Sequence, residues 1–352
     1  MQALRHSLLF DSRWFGDHGI GRFAREVYSR LAGYGTPSFA GNPWDAADFL
    51  RTSWHLRKQR PAFYFTPGYN APLGRPCPFA LTVHDLNHIA TPGQSTAFKR
   101  LYYEAILRPA IQRADVVLTV SEFSRAAIVA WSGVDARNVV NVANGVSPAF
   151  RREGPVHPVV GKPYLLGIAS PKPHKNQEGL LRGYAASSSR KTIDLLMLGD
   201  RNEPAERTLT ALGVSESVRF LGRLSDADLA AVYRGATGLL FVSHYEGFGL
   251  PIVEAMACGT PVITSSVAAM PEIAGGAAML VDPLSVEDIG AAIDRLCDSA
   301  ELRTDLRDRG LQRAAQFSWD ETGRRVCAAL NSAIDSKGKR EARTEHRARR
   351  SM

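Results

Sequence analysis

The sequence predicts two doubly wound α/β domains, each built on a parallel sheet with helices on both faces. Short apolar strands alternate with helical segments through both halves of the chain, and this alternation is typical of covered parallel sheets. A length of 352 residues exceeds one ordinary core and fits two domains of average size. The apolar content of 45% and the charged content of 22% are those of a globular protein.

The first half is predicted to form a domain over residues 1–150. It begins with a strand near residues 7–11, a glycine-containing loop and an amphipathic segment at 20–31. Further strands are predicted at 62–66, 79–84, 115–120 and 139–143, and helices at 97–113 and 122–131. The stretch 147–162 is rich in Pro, Gly and charge and has no periodicity, so it predicts the domain boundary.

The second half repeats the scheme over residues 151–317 and predicts a second Rossmann-like domain of similar size. Its strands are predicted at 164–169, 193–198, 218–221, 239–242, 262–264 and 278–281. Ser318 is predicted to cap a final amphipathic helix at about 318–335, which is long enough to pack back on the first domain. A ligand is expected at the strand ends, in a cleft between the two facing domains.

A basic tail is predicted at 337–352, where seven Lys and Arg stand against two Glu. With few apolar residues to bury, the tail is predicted to be solvated and disordered. Such a terminus serves as a solubilising end, or it binds anionic membrane lipids peripherally or nucleic acid without sequence specificity. No specific nucleic-acid partner is predicted, because the rest of the chain is only mildly basic.

The four cysteines are scattered, without a CxxC pair or a histidine at ligand spacing. This pattern argues against a metal site or a disulfide framework and favours a reducing compartment. The sequence has no run of about 18 apolar residues, and its start lacks the uninterrupted apolar core of a signal peptide. A cytoplasmic location is therefore expected.

The stretch 242–266, VSHYEGFGLPIVEAMACGTPVITSS, combines a strand, a glycine loop, a helix and a second strand. Glu246 lies in the loop and Glu254 in the helix, both among apolar neighbours that leave a carboxylate in need of a partner. Gly247 and Gly249 allow close backbone approach, and the helix N-terminus carries roughly half a positive charge. These features predict a site for an anion with hydroxyl groups. The alternative is a buried α/β unit with an acidic loop.

A second loop, SPKPHKNQ at 170–177, follows the first strand of the second domain and opens a helix. Lys175 lies where a phosphate would meet both an ammonium group and a helix N-terminus. The alternative is that Lys172 and Lys175 are ordinary surface lysines.

Two features of the first domain also follow strands. The loop GDHGIGRF at 16–23 is a weak dinucleotide-type loop, and a structural tight turn explains it equally well. His84 and Asp85 end the strand FALTVH, where open α/β sheets place reactive residues; the alternative is a satisfied structural histidine. The DxD string of SDADL at 225–229 is interpreted as a helix N-cap with first-turn acids and not as a metal site.

Together these residues resemble glycosyltransferase family 4, a group of retaining, metal-independent enzymes with the GT-B fold. EGFGLPIVEAMACGTPV is similar to the E-x7-E signature of the family, with Glu246 and Glu254 as its two acids. Weaker matches are GIGRF, TVHDL, VLTVSEFSRAAI, NVANGV, the KN of PHKN, and RFLGRLSDADLAAVYRGA. The resemblance spans roughly residues 7–330.

The resemblance implies a role for each candidate site residue. Glu246 would contact the donor sugar, Glu254 the ribose hydroxyls, and Lys175 the donor diphosphate. His84 would lie near the reacting sugar and, with Glu246 and Lys175, form the catalytic set. The remaining donor-binding positions implied by the family are Gly19, Gly21, Gly247, Phe248, Gly249 and Leu250.

The sequence departs from the family at the second phosphate-binding cation. Many members have an arginine five residues before the lysine or directly before it, and these places hold Ser170 and His174. The second charge would then come from protonated His174 or from Lys172, or would be absent.

The resemblance implies transfer of a hexose from a nucleotide-diphosphate sugar to an acceptor hydroxyl, without a cofactor or metal ion. The flanking VHDL and KN look most like bacterial mannosyltransferases of lipopolysaccharide and other surface polysaccharide assembly. These would use GDP-mannose and a glycan or lipid-linked glycan acceptor. The alternatives are a glycoside hydrolase using Glu246 and Glu254, and a non-catalytic subunit that binds sugar nucleotides.

Overall fold

The computed structural model describes residues 2–36, 39–45, 47–91, 96–158 and 161–350, and describes side chains only within 8–336. The chain divides into two compact units. The N-terminal unit consists of Met1–Ile89, Ser95–Gly145 and Trp319–Met352, and Val146–Ser318 forms the body of the C-terminal unit. The change of unit falls at 145/146, close to the stretch at which the sequence predicts a boundary.

Within its described residues, the N-terminal unit contains a six-stranded parallel sheet in the order β2-β1-β3-β4-β5-β6. Its strands are β1 (Gln2–Phe10), β2 (Leu31–Gly35), β3 (Tyr64–Thr66), β4 (Phe79–Thr82), β5 (Val116–Thr119) and β6 (Val139–Asn141). Leu9 of β1 pairs with Tyr64 of β3, and the winding direction reverses between these two strands. Such a reversal is a topological switch point, where open α/β sheets bind ligands.

Six described helices of this unit lie between its strands, although β3 and β4 are joined without an α-helix. They are α1 (Gly19–Tyr28), α2 (Asp48–Gln59), α3 (Asn87–Ala90), α4 (Ala97–Tyr102), α5 (Arg108–Arg113) and α6 (Glu122–Ser132). A π-helical turn at Tyr103–Leu107 joins α4 to α5, so the helix predicted at 97–113 is one helical segment in three parts. The sequence interpretation missed β2 and α2. The buried face of α2 carries Asp48, Thr52 and Ser53, which hide the apolar periodicity that identifies a helix.

The C-terminal unit contains, in its described part, a second six-stranded parallel sheet in the order β12-β11-β10-β7-β8-β9. Its strands are β7 (Tyr164–Ile168), β8 (Asp194–Leu198), β9 (Val218–Phe220), β10 (Gly238–Phe241), β11 (Val262–Ser265) and β12 (Met279–Val281). All six correspond to predicted strands. The switch point lies between β7 and β10, where Leu239 pairs with Leu166.

Helices follow each strand of the second sheet. They are α7 (Gln177–Ala186), α8 (Glu203–Leu212), α9 (Asp226–Gly235), α10 (Leu250–Ala257), α11 (Met270–Ala274), α12 (Val286–Asp298) and α13 (Ala300–Ala314). The sheet core is apolar and inaccessible to solvent, with Leu165, Leu195, Leu240 and Ile263 fully buried on four neighbouring strands. Burying each such side chain contributes about 1.5–3 kcal/mol. The predicted pair of doubly wound α/β domains is therefore confirmed.

The last helix, α14 (Trp319–Arg350), belongs to the N-terminal unit. The Trp319 ring is buried and lies 6.4 Å from that of Phe23, and Arg30 Nε donates a hydrogen bond of 2.7 Å to Asp320 Oδ1. The helix continues to Arg350, where a disordered tail was predicted; Lys, Arg, Glu and Ala are strong helix formers, so this sequence prolongs a helix without an apolar stripe. The side chains of 337–350 and all of 351–352 lie outside the described residues.

None of the helices in the described part of the chain is long and apolar enough to span a bilayer.

Candidate active site

The switch point of the C-terminal unit gathers two loops that the sequence singles out. One loop, residues 169–176, follows β7, and the other, residues 242–249, follows β10. Because β7 and β10 are neighbours in the sheet, their carboxyl ends bring these loops side by side. A ligand in an open α/β sheet binds at this position.

Lys175 and Glu246 meet at this point. Lys175 Nζ lies 2.6 Å from Glu246 Oε1, and 28% and 13% of the two side chains are exposed. The contact joins residues 71 positions apart in sequence, so the fold brings together two of the predicted catalytic residues. A partly exposed ammonium and carboxylate at one place can bind a phosphate oxygen and a hydroxyl group, respectively.

Asn176 holds the surrounding loops in place, and the sequence analysis assigned it no role. Its Nδ2 donates hydrogen bonds of 2.9 Å to the Val242 carbonyl and 2.8 Å to the Pro283 carbonyl, while its Oδ1 accepts from Gly179 N–H at 3.2 Å and caps α7. Its φ of 53° is a left-handed conformation that asparagine tolerates. One amide thus connects the loops after β7, β10 and β12. An Asn directly before an apolar helix was the available signal.

Two helix N-termini border the same loops. α7 begins at Gln177, and α10 begins at Leu250 after Gly249, which has a φ of 97° and supplies no side-chain cap. That left-handed conformation favours glycine, and close approach of this backbone to a ligand stays a prediction. Phe248 is buried, with its ring 5.5 Å from that of Phe317, so its side chain anchors the loop in the core. The first-turn N–H groups of a helix favour an anion.

Glu254 lies on α10 and is 6% exposed. Its Oε2 accepts a hydrogen bond of 3.2 Å from the hydroxyl of Tyr233 on α9. A buried carboxylate needs such donors to offset its desolvation. The structure therefore supplies one partner for Glu254, and its role toward a ribose stays a prediction.

The two departures from the family pattern occupy different environments. Ser170 is half-buried after β7, whereas His174 is 7% exposed and its carbonyl accepts the His244 N–H at 2.8 Å. Lys172 is exposed in the same loop. Burial also lowers the pKa of His244, against the opposing charge of Asp282.

In the N-terminal unit, Gly21 lies in the first turn of α1 and packs against the backbone of the preceding loop. A Cβ on Gly21 would lie 2.2 Å from the Gly16 carbonyl oxygen, so only glycine fits this approach. The Gly21 N–H donates to His18 Nδ1 at 3.0 Å. Gly19 is the first residue of α1 and has open space around its Cα. The structure gives Gly21 a packing role, and donor binding by either glycine stays a prediction.

His84 follows β4 and stays neutral. Its Nε2–H donates a hydrogen bond of 2.9 Å to the Pro67 carbonyl, and its ring stands edge-on to Phe23 with centroids 4.9 Å apart. Because burial disfavours the charged ring, the pKa of His84 is lowered to about 4. A neutral imidazole with Nε2 protonated presents its lone pair at Nδ1. The structure brings His84 to the same sheet edge as the glycine loop.

A buried ionic network at this edge was missed by the sequence analysis. Arg13 donates to both carboxylate oxygens of Asp11 at 2.8 and 2.7 Å, and to Asp48 Oδ1 at 2.8 Å. The Tyr64 hydroxyl donates to Asp11 at 2.7 Å, and Asn70 Nδ2 donates to Asp48 at 2.9 Å. Burial lowers the pKa of Arg13, but the hydrogen bonds and charge of Asp11 outweigh it and raise that pKa overall.

The network could not be found from the sequence because it depends on α2. Asp48 is fully buried on the first turn of that helix, which the sequence did not predict. Asp11 at the end of β1, with Arg13 two residues later, was the only local signal.

No group of three or more His, Cys, Asp and Glu side chains in the described part of the chain is arranged to hold a metal ion. The DxD string lies at the start of α9, where the Asp228 N–H donates to Ser225 Oγ at 3.2 Å. Its interpretation as a helix N-cap is confirmed.

Two doubly wound units, with Lys175, Glu246 and two helix N-termini gathered at one switch point, have the architecture that the resemblance to two-domain α/β glycosyltransferases implies. The family model "Glycosyl transferases group 1" matches residues 153–313, and "Glycosyltransferase Family 4" matches residues 9–150. The O-antigen chain mannosyltransferase B of Escherichia coli is 33% identical over 285 residues, which cover 77% of this chain and 74% of that protein. The chain therefore belongs to glycosyltransferase family 4 and is a glycosyltransferase.

Further comparisons give a second relative in sequence and a solved structure of the same fold. The MMP alpha-(1->4)-mannosyltransferase of Mycolicibacterium hassiacum is 34% identical over 227 residues, covering 62% of this chain and 54% of that protein. A sucrose-phosphate synthase from Thermosynechococcus elongatus has the same fold, with a TM-score of 0.74 at 18% identity over 94% of this chain and 99% of that one. The glycoside hydrolase alternative receives no support from these relatives.

Proposed function

We propose that this glycosyltransferase moves mannose from GDP-mannose to a hydroxyl of a glycan or lipid-linked glycan, with retention of anomeric configuration. The contact between Lys175 and Glu246 at the switch point carries the proposal, since it supplies one group for a phosphate and one for a sugar. Two relatives named as mannosyltransferases, at 33% and 34% identity, support the choice of sugar.

Lys175 binds the donor diphosphate, together with the N-termini of α7 and α10. A charge-assisted hydrogen bond of this kind contributes about 1.5–3 kcal/mol. The carboxylate of Glu246, whose contact with Lys175 is 2.6 Å, accepts hydrogen bonds from hydroxyls of the mannose ring. The two charges that neutralise each other in the protein thus act on the two sides of the bond that breaks.

In the reaction, the bond between the anomeric carbon and the diphosphate oxygen breaks, and its electron pair stays on the diphosphate. Lys175 and the helix N–H groups stabilise that growing charge. The acceptor hydroxyl attacks from the face that the diphosphate leaves, and its proton passes to a phosphate oxygen. No strong base is required, which agrees with a His84 pKa of about 4; His84 positions the sugar as a neutral hydrogen-bonding group.

The second phosphate charge is assigned to Lys172. His174 is 7% exposed, whereas Lys172 is exposed in the same loop and keeps its ammonium in water at little cost. Glu254 binds the ribose hydroxyls with the carboxylate that also accepts from Tyr233. A carboxylate has about four lone-pair positions and serves several donors.

The reaction is proposed to need no metal ion, because Lys175 and the helix N-termini supply the positive potential that the diphosphate requires. Turnover in excess EDTA is expected to equal turnover in buffer. Loss of activity in EDTA that Mg²⁺ or Mn²⁺ restores would contradict this part of the proposal.

The basic segment at 337–352 is proposed to bring the enzyme to anionic membranes, where a lipid-linked acceptor resides. Each Lys or Arg near such a surface contributes about 1 kcal/mol. Salt-sensitive binding to anionic liposomes should weaken in a chain truncated after Ser336. Unchanged binding would remove this role.

A thermal-shift comparison of GDP, UDP, ADP and TDP tests the donor. A ligand that binds only the native state raises its apparent stability with affinity, so GDP is expected to give the largest shift. A larger thermal shift with UDP would indicate that the donor is a UDP-sugar and not GDP-mannose. The anomeric proton signal of the first product then tests retention: an α-mannoside is expected from the α-linked donor, and a β-mannoside would contradict it.

Two matched variants separate the acidic residues. Glu246→Gln is expected to reduce transfer far more than GDP affinity, because its partner is the sugar. Glu254→Gln is expected to weaken the binding of GDP itself. Calorimetric titration of GDP and initial rates decide between them, and equal GDP affinity in the Glu254 variant and the wild type would contradict the ribose assignment.

A further inference from the structure

An exposed tryptophan stands at the switch point of the N-terminal unit. Trp44 is 50% exposed, and three aromatic rings surround its inner side. The centroid distances from the Trp44 ring are 5.0 Å to Trp14, 5.2 Å to His18 and 6.0 Å to Tyr69. Trp14 ends the short 3-10 turn Ser12–Trp14 that follows β1, and Tyr69 lies three residues after β3, so the loops after the two switch-point strands supply the support.

Trp44 is held by the buried ionic network and not by its own loop alone. The backbone N–H of Trp44 donates a hydrogen bond of 3.0 Å to Asn42 Oδ1. The carbonyl of the neighbouring Pro43 accepts one of 2.7 Å from Asn70 Nδ2. The same Asn70 amide donates to fully buried Asp48 at 2.9 Å. The loop that carries Trp44 is therefore fixed to the interior of the unit.

Gly68 allows the ring of Trp14 to pack closely against the backbone. A Cβ on Gly68 would lie 2.3 Å from the ring of Trp14, so glycine is required for the aromatic support to pack. Trp44 thus presents an aromatic surface that is half exposed on a loop fixed to the interior. A large, rigid aromatic side chain of this kind is suited to bind a ligand.

The surroundings favour a neutral ligand. The charges of Asp11 and Asp48 are balanced by Arg13 and Arg51, which contact them at 2.7–3.2 Å. An aromatic face is electron-rich, and the C–H face of a sugar ring is apolar and electropositive, so the two stack favourably. Among the described residues of this network, Arg13 and Arg51 both have carboxylate partners, which makes the site less suited to a phosphate.

The same loop connects this surface to His84. Pro67 accepts the His84 hydrogen bond at 2.9 Å, and Tyr69 lies two residues further along. Burial and the nearby charge of Asp85 raise the pKa of Tyr69 to about 12, so Tyr69 stays a neutral phenol. The hydrogen bond from His84 to Pro67 thus links the residue assigned to the reacting sugar to the loop that carries Tyr69.

We propose that Trp44, backed by Trp14 and Tyr69, is a stacking platform for a sugar ring of the acceptor glycan. This inference rests on the proposed function, because it takes the ligand of the N-terminal unit to be the acceptor. It adds a specificity residue that neither the sequence motifs nor the donor site contains.

The chain offers a matched control. Trp54 is 59% exposed on the outer face of α2, with Lys58 Nζ 5.5 Å from its ring centroid, and so it is an exposed tryptophan of the same unit. Trp44→Ala is expected to raise the KM for an acceptor at least about tenfold, as truncation of an interface tryptophan does. Trp44→Phe should stay within about threefold of the wild type, since it keeps a ring. Trp54→Ala should leave the KM unchanged.

The probes are methyl α-mannoside and an α-linked mannotriose, with GDP-mannose as donor. Initial rates give the acceptor KM, and calorimetry gives GDP affinity, which Trp44→Ala should leave unchanged. Circular dichroism of each variant establishes that it is folded. An acceptor KM that is unchanged in Trp44→Ala, or raised equally in Trp54→Ala, would overturn the platform.

A direct binding measurement separates this inference from the proposed function. Saturation-transfer NMR of mannotriose without donor should show contact with the wild type and with Trp44→Phe, and loss of contact in Trp44→Ala. Equal signals in all three, or none with the wild type, would overturn the inference even if GDP-mannose is turned over. Failure to bind GDP or to use GDP-mannose, with the sugar signals as expected, would overturn the proposed donor and leave the platform supported.

Discussion

The two switch points of this enzyme have the same architecture and opposite uses of charge. In the C-terminal unit, Lys175 and Glu246 form a single ion pair whose side chains are 28% and 13% exposed. In the N-terminal unit, Arg13 and Asp11 form an ion pair with 9% and 0% exposure and many further hydrogen bonds. One pair remains accessible to a ligand, whereas the other is enclosed and holds loops together.

This difference accords with what each unit is assigned to bind. A nucleotide diphosphate is strongly charged and needs a cation that can leave its internal partner. The sugar rings of a glycan acceptor are uncharged, and aromatic surface with neutral hydrogen-bonding groups suits them better. Under the proposed function, charge in the N-terminal unit serves structure, and charge in the C-terminal unit serves the ligand.

The largest expected effect is on stability, from Arg13→Met. Removing the guanidinium leaves Asp11 and Asp48 buried without their main cation, which typically costs about 3–5 kcal/mol. All five tryptophans of the chain belong to the N-terminal unit, so their fluorescence during urea unfolding follows this unit selectively. The midpoint of that transition is expected to fall sharply.

Arg137→Met is the control for this variant. Arg137 pairs with Asp135 on the surface of the same unit, with an exposed fraction of 88%, and exposed pairs contribute little. Its midpoint should match the wild type. If the urea midpoint fell no further in Arg13→Met than in Arg137→Met, the buried network would not stabilise the unit.

The next effect is on turnover, from Lys175→Met. Losing one preorganised donor to a developing charge costs about 2.7–4 kcal/mol, or about 100- to 1,000-fold in kcat. Stability should change by about 1 kcal/mol or less, because the pair is partly exposed. Steady-state rates with GDP-mannose measure the change in kcat, and urea unfolding measures the change in stability.

Lys172→Met is the matched control, since Lys172 lies in the same loop and is exposed. It is expected to lower kcat by less than about tenfold, as a second and more solvated cation. If kcat fell as far in Lys172→Met as in Lys175→Met, the contact of Lys175 with Glu246 would not distinguish Lys175 from a second lysine of the same loop.

A smaller effect is expected from pH at His84. Its pKa of about 4 in the folded chain is below the ordinary value of 6.5, so the unfolded chain binds more protons between these values. Stability should therefore fall as pH is lowered from 6.5, by about 1.5 kcal/mol at pH 5. His84→Asn should reduce this dependence by that amount, because the other histidines remain. Identical pH profiles of urea unfolding would show that His84 is not a buried neutral group.

Much of the fold followed from the sequence because its signals are local. Many strands of both sheets contain short apolar runs, as in sheets covered on both faces, and two glycines mark the loop before α10 in the sequence. The stretch after β10, which the sequence predicts as a ligand site, lies at a switch point. The E-x7-E pattern carried the family, and the relatives confirm it.

The parts that were missed depend on contacts between distant residues. α2 was not predicted because polar Asp48, Thr52 and Ser53 form its buried face. The support of Trp44 depends in turn on that helix, through Asn70. The bond between Lys175 and Glu246 is likewise invisible in the sequence, since only strand order places β7 beside β10.

Calorimetric titration of GDP into the wild type, Lys175→Met and Trp44→Ala tests the contrast between the two units most directly. GDP is expected to bind the wild type and Trp44→Ala equally, and Lys175→Met at least about tenfold more weakly, as loss of a charge-assisted hydrogen bond implies. Guanosine, which lacks the diphosphate, should bind all three alike. Equal GDP affinity in the wild type and Lys175→Met would contradict the account.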